Sequence, residues 1–141
     1  MNEIIVRESG KNKFAQEIIT GNHILIADEP IASGGNDTGP SPYDFLLIAL
    51  GTCTSMTLRM YADLKKIPLE KITVKLKHEK IHESDCANCE NTNSKIDLID
   101  RQIDLQGNLT QEQRIKLLNI ANKCPVHLTL TSKIIINSKL I

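Results

Sequence analysis

The chain has no tryptophan, and only two phenylalanines and two tyrosines among its 141 residues. Stacking of single-stranded nucleic acid on aromatic side chains is therefore not expected. It also lacks a charge of either sign in excess: Lys+Arg and Asp+Glu both number 17. No overall field draws nucleic acid or anionic lipid, so neither nucleic acid nor membrane is an expected partner. A chain near neutrality associates readily, which favours an oligomer. There is no uninterrupted apolar run of about 18 residues, the length that would read as a membrane span. The segment Met1-Asn2-Glu3-Ile4-Ile5-Val6-Arg7 has neither a basic start nor a long apolar stretch, so no secretion signal is expected and the cytoplasm is the expected location. Four cysteines in such a chain do not make a disulfide scaffold. They read as catalytic, metal-binding or simply buried.

What is present suits one domain over residues 1–141, long enough to bury a core. Residues 3–7 and 13–28 are rich in Ile and Val and are broken by Gly10 and by Gly21-Asn22, a pattern of strands joined by hairpin turns. Residues 28–41 carry Pro30, Gly34, Gly35, Gly39 and Pro40 without periodicity and read as a long loop. A helix follows. Ser41 can cap it, Pro42 fits the first turn, and Asp44 completes a capping box. Its run Phe45-Leu46-Leu47-Ile48-Ala49-Leu50 is apolar all round, which predicts burial. The helix is expected to reach about Lys66, with Pro68 beyond its end.

Residues 71–82 and 96–106 alternate as strands, with Ile72, Val74 and Leu76 on one face and Ile99, Ile103 and Leu105 on another. The polar stretch from Asp85 to Ser94 reads as their hairpin connection. Thr110 and Gln113 form a second capping box, opening a helix to about Lys123. Pro125 stops it, and residues 126–136 read as a last strand. Strands, long helix, two strands, helix and strand make an α+β fold.

Two cysteines sit at singular places. Cys53 lies inside the long helix, in Leu50-Gly51-Thr52-Cys53-Thr54-Ser55, where hydroxyls crowd an otherwise apolar segment. Gly51 costs about 1 kcal/mol against alanine there, and it permits close approach of another group. Cys124 stands at the end of the second helix in Lys123-Cys124-Pro125-Val126-His127. Either thiol alone reads equally as a small buried hydrophobe. A third group is His78, His82, Cys86 and Cys89. Cys86-Ala87-Asn88-Cys89 has the gap of zinc knuckles and redox pairs. Four residues apart on a strand, however, His78 and His82 stand about 13 Å apart, too far to share one metal. A surface thiol pair is the alternative.

The segment from Gly34-Gly35-Asn36-Asp37-Thr38-Gly39-Pro40-Ser41-Pro42 through Leu50-Gly51-Thr52-Cys53 resembles the signature of the OsmC/Ohr family, and so does Lys123-Cys124-Pro125-Val126-His127. The order of strands and helices agrees as well. The Asp85-Cys86-Ala87-Asn88-Cys89-Glu90 run looks like a separate branch of that family. The resemblance implies an OsmC-like fold of β-strands around two central helices in an intertwined homodimer. It implies that Cys53 is the peroxidatic and Cys124 the resolving cysteine of a thiol peroxidase for organic hydroperoxides. An external dithiol would be the reductant, with no metal or other cofactor.

A reactive thiolate needs a neighbouring positive charge or donors. Cys53 lies about three turns inside its helix, beyond the reach of the helix dipole. The family uses an N-terminal arginine held by an acidic residue. Arg7 is the N-terminal arginine available here, and Asp44 stands near the acidic position. Arg101, Lys123 and His127 are further candidates, whereas Arg59 falls on another face of the helix. The alternative function is a non-catalytic OsmC-like protein binding a small molecule or, through His78, His82, Cys86 and Cys89, a metal.

Overall fold

Strand propensity dominates the first fifth of the chain and long helical or alternating segments the remainder, and the fold follows that division. A computed structural model describes residues 2–82 and 95–141. The chain separates into two units, Met1–Leu46 and Leu47–Ile141.

In the first unit, β1 (Ile4–Glu8), β2 (Gln16–Thr20) and β3 (His23–Ala27) form an antiparallel meander in that order. Thr20 pairs with His23, so Gly21 and Asn22 are the two-residue loop between β2 and β3. Gly21 has φ +57°, and Asn22 keeps a negative φ, the pattern of a glycine-first hairpin turn. Arg7 stands opposite Glu17 in the β1–β2 register, and their side chains form an ion pair.

The loop that follows is organised by one carboxylate. Asp28 is 2% exposed. Its Oδ1 accepts the Glu29 N–H at 2.8 Å, and its Oδ2 accepts the Thr38 hydroxyl at 2.7 Å and the backbone N–H groups of Thr38 and Asn36. The Thr38 hydroxyl is the largest influence holding the Asp28 carboxyl below its ordinary range, and the backbone donors add to it against the opposing effect of burial. The glycines let the backbone close around this centre. A Cβ on Gly35 would lie 2.0 Å from the Glu29 carbonyl oxygen, and one on Gly39 would lie 2.4 Å from that of Ile26.

Helix α1 (Pro42–Leu64) begins in the first unit and continues into the second. Its capping box forms as the sequence predicts: Ser41 Oγ accepts the Asp44 N–H at 3.2 Å and Asp44 Oδ2 accepts the Ser41 N–H at 2.9 Å. The expected burial of 45–50 is corrected. Only the stripe Leu50, Gly51, Thr54, Leu58 and Ala62 is buried. Tyr43, Leu46, Ile48, Met56, Met60 and Leu64 are exposed in the single chain. In the second unit one stripe of the helix packs against Leu69, Leu117 and Ala121, and the other apolar side chains fall outside that contact. By length and composition alone α1 also passes as a membrane-spanning helix, as the core helix of a soluble protein can.

In the second unit, β4 (Leu69–His82) and β5 (Lys95–Gly107) form one long antiparallel ladder with a bulge between Leu69 and Lys71. Ile72 pairs with Leu105, Val74 with Ile103 and Leu76 with Arg101. Helix α2 (Gln111–Ala121) starts at the predicted Thr110–Gln113 box. Leu58 and Ala62 of α1 join Leu69, Leu117 and Ala121 in the core, with Ile72, Ile103 and Leu105 packed against them.

The last expected strand is absent. Helix α3 (Pro125–Leu130) occupies its start, and residues 131–141 form no regular element. The cause is local. Pro125 sets the first helical φ, and Cys124 caps the turn by accepting the His127 N–H on Sγ at 3.3 Å. The alternation of Val126, Leu128 and Leu130 is outweighed by that cap.

Two stability effects follow from this packing. Leu58→Ala empties a site with no exposed surface and should lower unfolding free energy by about 2–5 kcal/mol in denaturant titration. The Asp28 carboxylate links stability to pH. Its depressed folded-state pKa makes its contribution complete above the ordinary carboxylate value, about 3.9, and removes it as pH falls through the folded value. Asp28→Asn should therefore lower the thermal midpoint at neutral pH, and the gap from the parent protein should narrow in acid.

Candidate active site

Alternation along β5 places Ile99, Arg101, Ile103 and Leu105 on one face of the ladder, so an arginine projects from a row of apolar side chains. Across from it, Leu76 lies under α1: a Cβ on Gly51 would come within 2.8 Å of Leu76 Cδ1. The glycine thus does what the sequence suggests, letting the helix approach the strands closely.

The buried stripe of α1 carries Thr54 to the same place. Thr54 has no exposed surface, and its hydroxyl donates to the Leu50 carbonyl at 2.7 Å. Its Oγ1 lies 3.9 Å from Cys124 Sγ, and Cys124 is likewise wholly buried. Cys53 precedes Thr54 on the helix and is half-buried, so the two motif cysteines lie near each other, one reachable from solvent and one not.

Arg101 ties this group together. Its Nη1 donates to Thr54 Oγ1 at 3.0 Å and to the Ala121 carbonyl at 3.4 Å. Its Nη2 donates to Asn122 Oδ1 at 2.8 Å and faces His127 Nδ1 at 3.3 Å. Every one of these acceptors is neutral, and among the described residues no carboxylate pairs with Arg101. Its positive charge is therefore held in place without being neutralised, which suits it to an anion formed nearby. His127 contributes twice: its backbone N–H caps Cys124 Sγ, and its ring accepts from Arg101. Burial chiefly, and the Arg101 charge in addition, hold the His127 ring below the usual imidazole pKa.

Of the cations considered from sequence, Arg101 and His127 are thus brought to Cys124. Lys123 is exposed. Arg59 donates to the Leu69 and Glu70 carbonyls, tying α1 to the start of β4. In the first unit Arg7 is paired with Glu17, and Asp44 caps α1. Sequence reasoning missed Thr54 and Asn122. Thr54 could have been found from the helical spacing of Leu50, Thr54 and Leu58, and Asn122 from its place on the inner side at the end of the second helix. His78 Nε2 bonds Asp97 Oδ1 at 2.8 Å, and Lys80 Nζ meets the same oxygen at 3.0 Å. Cys86 and Cys89 lie outside the described residues. Among the described residues no three His, Cys, Asp or Glu side chains converge as a metal site would require.

A titration of the His127 ring by NMR should give a midpoint below 6.5, the ordinary histidine value. Arg101→Met should raise it only partly, because burial is the larger cause. With a lowered folded-state pKa the unfolded chain takes up this proton first. Acidification from the ordinary value down to the folded one therefore reduces stability.

The family model for OsmC-like proteins matches residues 34–139. No curated protein matches. Among solved structures, an OsmC-like protein of Mycoplasma pneumoniae is similar at a TM-score of 0.70 and 16% identity, over 92% of this chain and 86% of that one. The organic hydroperoxide resistance protein OsmC of Legionella pneumophila gives 0.67 and 17%, over 93% and 89%. The organic hydroperoxide resistance protein OhrB of Bacillus subtilis gives 0.62 and 18%, over 93% and 90%. At these identities the structural likeness speaks for the fold, and the family match covers both cysteine motifs: the chain belongs to the OsmC-like protein family.

Proposed function

We propose that the chain is a thiol-dependent peroxidase that reduces organic hydroperoxides through Cys53 and Cys124. The observation that carries this reading is that a half-buried Cys53 lies near a wholly buried Cys124. Membership of the OsmC-like family supports it, as do the neighbours named for organic hydroperoxide resistance.

The chemistry divides between the two thiols. The Cys53 thiolate attacks the terminal peroxide oxygen. The O–O bond breaks, a sulfenic acid forms on Cys53, and the alcohol leaves with a proton. Cys124 then attacks the Cys53 sulfur. The S–O bond breaks, a disulfide forms and water departs. An external dithiol reduces the disulfide by exchange, which suits the reducing cytoplasm. No metal or organic cofactor enters this cycle. We assign the cation of the site to Arg101. Arg7, which pairs with Glu17, and Asp44, which caps α1, are the rival candidates that the family resemblance supplies.

The reading includes a homodimer. The exposed side chains Met56, Met60 and Leu64 repeat every four residues along α1, and Ile4, Ile5 and Val6 are exposed on β1. Apolar side chains left exposed in this way, in each unit, mark association. Sedimentation should return twice the 15.7 kDa chain mass.

Cumene hydroperoxide consumption with a dithiol reductant tests the assignment. Cys53→Ser should fall to the uncatalysed background, and Cys124→Ser should complete one turnover and accumulate sulfenic acid. Equal rates in wild type and Cys53→Ser would end the peroxidase reading. Arg101→Gln should slow turnover roughly ten- to hundredfold. A loss of that size in Arg7→Gln alone, with Arg101→Gln unaffected, would move the cation to Arg7. Asp44→Asn should keep its activity if the carboxylate only caps α1.

A further inference from the structure

The Thr54 hydroxyl has one proton and two lone pairs, and its neighbours account for all three. The proton goes to the Leu50 carbonyl at 2.7 Å. One lone pair receives Arg101 Nη1 at 3.0 Å. The other is open to the Cys124 thiol, whose sulfur stands 3.9 Å away. The sulfur in turn accepts the His127 N–H at 3.3 Å. The Leu50 carbonyl is also an acceptor within the helical backbone ladder, so it does not depend on Thr54 for a partner. The hydroxyl can therefore turn its proton from Leu50 to the sulfur when Cys124 loses its own. Arg101 continues to donate to the oxygen throughout and polarises it toward that role.

From this geometry we propose that Thr54, backed by Arg101, is the positioning residue for attack by Cys124: its hydroxyl switches from acceptor of the thiol to donor to the thiolate. It acts on the disulfide-closing step and not on the step at Cys53. The inference rests on the pairing of Cys53 with Cys124 proposed above, but not on the identity of the oxidant. Closure on a sulfenic acid releases water. Closure on a mixed disulfide is electronically equivalent: Cys124 attacks the Cys53 sulfur, one S–S bond forms, another breaks, and a thiolate leaves. The second reaction can be followed without any peroxide.

The test uses the full chain with Cys86→Ser and Cys89→Ser, so that only the two site thiols remain. Reaction with dithiobis-nitrobenzoate releases one coloured thiolate when Cys53 attacks and a second when Cys124 closes the disulfide. Thr54→Val keeps the shape and removes the hydroxyl. It should slow the second release roughly ten- to hundredfold relative to the first. Thr54→Ser should restore the ratio, which a purely packing role would not predict. Should Thr54→Val fail to fold, Thr54→Ala, which removes the same hydroxyl with a smaller side chain, carries the same expectation for the second release.

Unchanged closure in Thr54→Val, equal slowing of both releases, or no rescue by Thr54→Ser would each overturn the inference. Absence of a second release in the parent protein would overturn it together with the cysteine pairing. Intact closure combined with no hydroperoxide consumption would instead remove the peroxidase reading and leave this one standing.

Discussion

Arg101 faces a cost that the rest of the second unit is arranged to offset. A guanidinium drawn partly out of water loses hydration worth several kcal/mol unless its donors find partners. Here they find four, contributed by α1, the end of α2, the residue beyond it and α3. The planar fork of arginine can serve acceptors in several directions at fixed angles, which a lysine ammonium on a flexible stem does less well. Three helices are thereby referred to one point on β5. The relative placement of Thr54, Cys124 and His127 follows from where that fork lies.

The ladder beneath Arg101 supplies rigidity of another kind. β4 and β5 keep their register from Lys71 to His82, and the apolar pairs Ile72–Leu105 and Val74–Ile103 sit directly below the helices. A slip of one residue would turn every inward side chain outward. Register and site geometry are therefore one constraint: the same alternation that packs Ile103 against the core points Arg101 at Thr54 and His127.

Much of this was legible beforehand. The two capping boxes place the starts of α1 and α2, because Ser41–Asp44 and Thr110–Gln113 interact over a single turn. The strands around Ile72 and Ile103 are visible from alternation alone. What could not be read depended on partners distant in sequence. Asp28 looked like one residue of a polar loop, yet it collects donors from Glu29, Asn36 and Thr38. The segment after Pro125 has the composition of a strand, but a proline and a capping sulfur begin a helix there. Phe45–Leu50 announces burial without saying what buries it, and within one chain part of that run stays outside. Arg101 was legible as an interruption of the Ile99–Ile103 face, although its acceptors were not.

The Asp28 loop bears on how this protein can vary. Loops are ordinarily where sequences drift and where insertions are absorbed. This one has carbonyl oxygens where side chains on Gly35 and Gly39 would begin, and its amides converge on one carboxylate. It resists replacement much as a packed interior does, while lying among exposed residues. Grafts, tags and engineered insertions belong instead at the Gly10 turn, where an added Cβ meets nothing within 4 Å although its φ of +74° still favours glycine.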